Sequence, residues 1–345
     1  MDCREKRGFA FDSAAKRAIL LASAALVVLI CTEFSASASP QAKKISEIKL
    51  LPGLAADFAV SPGGKIYVSN AGSDLVEVYD GQGEVIATIR PPVDAADYFS
   101  PGAIAAEGDD LFWVVDSLSG RLFHFFSDGN FVQAISLSAD GKKPGEIASL
   151  VVLQPSAPHE IETVVSPEGE SPEHTVIERD EAAVAGKNGG AIFVQTGGGA
   201  IHCFELDGDW NYALAPLDPP AIRTPAGIAL SYPLLYALDS ESRTLLAFDV
   251  SDSKGKVSTV PLSGVLNAVP VVGIAVSSAG NPAIVCGGSA PVWFRANGKW
   301  IPAIERAPTG AQPPIARIQS GRIYFLDRDA GVIEVYEFDG GVLPE

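Results

Sequence analysis

Histidine, cysteine and basic residues are all scarce in this chain, and each shortage closes off a class of function. Four histidines in 345 residues leave little material for imidazole catalysis or for a zinc site built from convergent rings. His124 and His202 lie in apolar runs, while His159 and His174 lie in an acidic stretch. His202 and Cys203 are neighbours, so in a strand they face opposite sides and cannot share one ion. Of the four cysteines only Cys203 and Cys286 lie beyond the amino-terminal region, in separate apolar runs, and no Cys-x-x-Cys occurs. That pattern excludes a disulfide scaffold and predicts buried free thiols. Twenty-five Lys and Arg against 42 Asp and Glu give a net charge of −17, a surface that repels phosphate backbones and excludes nucleic acid as a partner. No Gly-x-Ser-x-Gly segment, P-loop or dinucleotide fingerprint is present, and Gly197-Gly198-Gly199 reads as a turn between strands.

Long apolar runs are also missing. The best, Ala18 to Cys31, is about 14 residues, short of the roughly 20 that span a bilayer. Arg4, Lys6, Arg7, Lys16 and Arg17 precede it, and Ala36-Ser37-Ala38 follows as a cleavage site of the A-x-A kind. Residues 1–38 therefore read as a signal peptide and 39–345 as one exported domain, periplasmic or secreted. The alternative is an uncleaved amino-terminal anchor, which would be the chain's one contact with a membrane.

What the chain does have is 34 glycines and 25 prolines spread along its length between short apolar runs, the composition of many short strands joined by turns. Asp57 to Ile89 contains four such runs, separated by Ser-Pro-Gly-Gly, Asn-Ala-Gly-Ser and Asp-Gly-Gln-Gly, which predicts four antiparallel strands. The same order returns at Gly102 to Leu137, at Thr224 to Leu262, at Pro270 to Ile304 with Asn297-Gly298 as a hairpin turn, and from Pro314 on. Another unit starts at Ile147 to Gln154 and resumes at Ala191, interrupted by an acidic Pro/Ser/Glu-rich insertion at about 155–188 that is expected to be mobile. With the insertion set aside the period is about 45 residues, within the range of propeller blades. The last unit lacks a fourth strand. Lys44 to Leu51, KISEIKLL, resembles the fourth strands of other units but precedes the first, so it is expected to pair with Val332 to Phe338 and close a ring.

The blade pattern, with Ile66-Tyr67-Val68-Ser69-Asn70 in the second strand and Val76-Glu77-Val78-Tyr79-Asp80 in the third, resembles the NHL repeat. The resemblance implies an all-β, six-bladed propeller of four-stranded antiparallel blades, a platform for binding more than one fixed chemistry. Lactonases of the regucalcin and gluconolactonase type are similar in having six blades and a divalent metal held by Glu, Asn and Asp. Leu111 to Asp116 is close to one of their strands, but Pro101 and Ala226 stand where their Glu and Asn would be, and neither side chain offers oxygen to a hard cation. The peptide-amidating lyase, an NHL propeller with zinc on histidines, is poorly matched by a chain with so few.

The leading expectation is a non-enzymatic, monomeric, exported platform for a protein, peptide or glycan of the cell envelope, without a cofactor. Propeller function lies largely on loops, and the loop Arg90 to Ser100 supplies Arg90, Tyr98 and Phe99 as candidate contacts; Asp57 and Arg317, in inner strands, either approach the axis or pair with each other. Asp116, Asp239 and Asp327 recur at the ends of second strands and read chiefly as carboxylates that hold turns. The alternative is a degenerate metal-dependent hydrolase, lactonase or lyase in which Asp57, Asp116, Asp239 or Asp327 would hold a divalent cation such as calcium. A second alternative is a sensor or structural ectodomain held at a membrane. Trp113, Trp210, Trp293 and Trp300 read as blade residues before binding aromatics.

Overall fold

Apolar runs of five to seven residues punctuated by Gly-containing turns leave the chain no helical period to follow, and strands result. The computed structural model describes residues 42–96, 98–154, 190–214, 222–251, 256–262, 266, 269–287, 292–296, 299–304 and 312–338. The expected signal peptide, the acidic insertion with His159 and His174, and the Asn297-Gly298 turn lie outside these residues.

The first strand is β1 (Ala42–Lys49). Blade one follows as β2 (Ala55–Val60), β3 (Ile66–Asn70), β4 (Leu75–Tyr79) and β5 (Val85–Ile89); blade two is β6 (Pro101–Glu107), β7 (Leu111–Asp116), β8 (Arg121–Phe126) and β9 (Phe131–Ser136). Blade three is β10 (Ile147–Leu153), β11 (Ala191–Thr196), β12 (Ile201–Phe204) and β13 (Trp210–Leu214); blade four is β14 (Pro225–Ser231), β15 (Leu234–Asp239), β16 (Thr244–Asp249) and β17 (Val257–Pro261). Blade five is β18 (Val271–Val276), β19 (Pro282–Cys286), β20 (Val292–Ala296) and β21 (Lys299–Ile304), and blade six is β22 (Ile315–Gln319), β23 (Arg322–Asp327) and β24 (Val332–Phe338), completed by β1. Six four-stranded antiparallel sheets result, and the strand expected to seal the ring does so, from Ala42 opposite Phe338 to Lys49 opposite Val332.

Second and third strands are buried along nearly their whole length, as β3 and β8 show, whereas the outer strand β5 is mostly exposed. The reason is that each middle strand is covered on both faces by neighbouring blades. Every apolar cluster joins one blade to the next. Tyr67, Val76 and Val78 of blade one meet Ile104, Phe112 and Phe123 of blade two, and so on around the ring. The last cluster places Ile48, Phe58, Ile66 and Tyr79 against Tyr324, Leu326, Ile333 and Val335, so blade six packs on blade one as the others pack on their neighbours.

Two repeated devices set this packing. The turn after each third strand in blades one to three carries a left-handed glycine, Gly83, Gly129 and Gly208. A Cβ there would lie 2.7, 3.5 and 3.1 Å from Ile48, Ile89 and Ile135, the outer-strand isoleucine of the preceding blade. That β1 supplies Ile48 to this arrangement shows it acting as the fourth strand of blade six. At the same end of the blades, Tyr67 and Tyr236 each donate from a second strand to a main-chain carbonyl of the next blade's first turn, Asp109 and Gly280, both at 2.9 Å.

Candidate functional site

Two places on the ring could receive a partner: the axis, where the inner strands converge, and the rim, where loops from adjacent blades meet. Each inner strand β2, β6, β10, β14 and β18 has a register shift near its start. Such a bulge turns main-chain N–H groups away from the ladder. Side chains of the preceding blade accept some of them: Asp57 Oδ2 accepts from Ile104 N at 3.2 Å, Gln195 Oε1 from Gly227 N at 3.2 Å and Ser149 Oγ from Ile228 N at 3.4 Å. Gln195, which departs from the Asp of other second strands, thus ties blade three to blade four.

Asp57 Oδ1 accepts from Phe58 N at 2.8 Å and from Arg317 Nη2 at 2.6 Å, joining blade one to blade six. Both residues are near the axis and they also pair with each other. Burial pushes the Asp57 carboxyl above its ordinary range, and the Arg317 charge with the N–H groups of Phe58 and Ile104 pulls it only partly back. Arg317 Nη1 donates to its neighbour's carbonyl, Ala316 O, at 3.1 Å, and its guanidinium lies 5.4 Å from the Phe58 ring centre. Arg317 and Gln319 line an axial cavity of about 190 Å³ whose other walls are aliphatic.

Asp116, Asp239 and Asp327 do not reach that cavity. Asp116 Oδ1 accepts from Ser100 N and Leu118 N at 3.0 and 3.2 Å, while Oδ2 takes the N–H and hydroxyl of Ser119. Asp239 accepts from Thr224 N at 3.1 Å, Glu241 N at 3.2 Å, Arg223 N at 3.4 Å and Ser242 Oγ at 2.8 Å. Burial alone would raise its pKa, but these hydrogen bonds outweigh it and hold the carboxyl below its ordinary range. Asp327 accepts from Ala330 N at 3.0 Å. Each carboxylate therefore fastens a turn, and Asp116 and Asp239 also hold the connection that enters the blade. Among the described residues no group of three or more His, Cys, Asp or Glu is placed to hold one metal ion. Cys203 and Cys286 are free and buried, their thiols pushed up to about 12 by desolvation.

The rim is formed where the loop after β5 meets the turn after β7. Arg90 Nη2 donates to Ser73 O at 2.6 Å, and Arg121 Nη1 donates to Ala95 O at 2.7 Å, so the loop is fastened at both ends. Tyr98 is 81% exposed, but Phe99 is only 7% exposed and packs edge-on against Phe123 at 5.6 Å. The expectation that Phe99 makes partner contact is corrected: blade two covers Phe99 with Phe123 and leaves Tyr98 to solvent. Arg90 is engaged with the main chain as well. Sequence reasoning missed two exposed apolar neighbours, Val93 at 83% and Leu118 at 70%, with Leu51 and Leu54 also exposed on the same side. Leu118 was visible as an aliphatic residue in a turn of otherwise small and polar residues, Ser117 to Gly120.

No protein-family model matches the chain, and a search of curated proteins finds no sequence relative. Solved structures do resemble it. A virginiamycin B lyase from Staphylococcus aureus, a catalytically inactive variant with quinupristin, matches with a TM-score of 0.53 at 12% identity over 85% of this chain and 98% of that one. The β-propeller domain of Myceliophteria thermophila Cps50 (Swd1) matches with a TM-score of 0.55 at 11% identity, over 86% and 99%. The chain is a six-bladed β-propeller. At such identities the likeness extends to the fold alone.

The two histidines described in this propeller lie away from the axial cavity. His124 is buried in blade two, stacked on Trp113 at 4.0 Å, with Nε2 3.0 Å from Glu107 Oε2, and Trp113 Nε1 donates to the same oxygen at 2.6 Å. Burial would raise the Glu107 pKa, yet those two contacts bring it below the ordinary range. His202 is half-buried on β12, and desolvation lowers its pKa.

Proposed function

We propose that this propeller is an exported, non-enzymatic platform that binds a protein, peptide or glycan of the cell envelope through the rim of blades one and two. The observation that carries the reading is the exposure of Val93, Tyr98 and Leu118 together on one side of a rigid ring. Exposed apolar groups held by fastened loops mark interaction surfaces, because fixing the loop beforehand reduces the entropy lost on binding. The NHL-type second and third strands support a platform, and the basic, apolar and small-residue order of residues 1–38 supports export. The strongly acidic chain favours a partner with a neutral or basic surface.

The test has two parts. Mass spectrometry of the exported protein should give a chain starting at Ser39. Retention of the protein on isolated envelopes should fall about tenfold or more when Val93, Tyr98 and Leu118 are all changed to serine, a loss of about 1.4 kcal/mol or more. Equal retention of the triple variant removes the rim from the account.

A further inference from the structure

The axial cavity has a size, a wall chemistry and an uncommitted set of donors that together define a ligand class. Its volume is about 190 Å³. An apolar cavity of about 150 Å³ admits benzene, so a single-ring molecule with one polar group is the right scale. Val60, Val152, Leu230 and Val276, from blades one, three, four and five, are partly exposed aliphatic residues of its wall. Blade six supplies the polar side, where Arg317 and Gln319 lie two residues apart on one strand.

Of the five N–H groups of a guanidinium, Arg317 gives one to Asp57 and one to Ala316 O. The remainder stay free to donate. The side-chain amide of Gln319 makes no hydrogen bond among the described residues. Asp57 already neutralises the Arg317 charge, so an anionic ligand would be desolvated in an acidic protein without a spare countercharge, and a cation would meet the guanidinium. A neutral acceptor suffers neither penalty.

We propose that the cavity binds a small neutral molecule with an apolar ring and a primary amide. Its carbonyl accepts from Arg317, its amide pairs with the side-chain amide of Gln319, and its ring rests on Val60, Val152, Leu230 and Val276. This site is independent of the rim.

The experiment is an NMR titration of the 39–345 chain, made with its native leader and recovered after processing, against benzamide, benzoate and benzylamine. Benzamide should bind with shifts confined to inner-strand amides, and the two charged probes should bind at least about tenfold more weakly. Gln319→Leu, which leaves the ion pair with Asp57 untouched, should weaken benzamide about tenfold. Arg317→Gln should weaken it at least as much; if that variant does not fold, Gln319→Leu alone decides. Benzoate binding as well as benzamide, benzamide unaffected by Gln319→Leu, or no benzamide binding at millimolar concentration would each overturn the assignment.

Discussion

At the residue scale, carboxylates and aromatics divide between holding the framework and facing solvent. Asp116 is buried and accepts from three main-chain N–H groups. Asp116→Ala leaves those donors without an acceptor and should cost about 2–4 kcal/mol in urea unfolding. Asp116→Asn, which retains one oxygen, should cost less. The pH dependence follows from the carboxyls with shifted pKa values. Asp239 and Glu107 are held below their ordinary values of 3.8 and 4.5, so the stability they contribute is present above those values and lost as pH falls through the folded ones. Asp57, raised above 3.8, has the opposite sign: protonation favours the folded state. Urea midpoints measured between pH 6 and 3 should therefore fall less steeply in Asp239→Asn than in the parent and more steeply in Asp57→Asn. The recurrent aspartates were legible in the sequence because a carboxylate before a turn has a local job. The fate of Phe99 was not, since a loop has no fixed alternation and only the neighbouring blade shows which of Tyr98 and Phe99 is covered.

At the element scale, β1 is the piece on which closure depends. Its apolar anchor is Ile48, buried against Gly83 and the seam of blades six and one. Its polar link is Lys44, which pairs with Glu334 at 2.7 Å and with the exposed Glu47 at 2.6 Å. Burial should matter more than charge here. Ile48→Ala is expected to cost about 2–4 kcal/mol and Lys44→Ala no more than about 1 kcal/mol, measured by urea unfolding. A larger loss from Lys44→Ala would show that the seam is held by its ion pairs. The role of β1 could be read from the sequence because an orphan fourth strand and a blade lacking one leave a single pairing. The bulges in β6 and β14 could not, because they answer to acceptors in the preceding blade, Asp57 for the first and Ser149 and Gln195 for the second.

At the scale of the whole molecule, six repeated cores leave the middle strands little freedom and place variation in the turns. Blade number was legible from the repeat period alone. The rim was legible only in part: the loop Arg90 to Ser100 stood out for its composition, but its meeting with the turn that carries Leu118 is a product of the ring. The axial cavity was suggested by Asp57 and Arg317, whereas Gln319 gave no local signal. The central functional claim, that one side of blades one and two is the contact surface, is tested most directly by site-specific photo-crosslinking in the cell that produces the protein. A photoreactive residue placed at Tyr98 or Leu118 should give a discrete adduct, and one at Tyr232, also exposed but in the opposite turns of blade four, should give none. Adducts from Tyr232 with none from Tyr98 or Leu118 would contradict it.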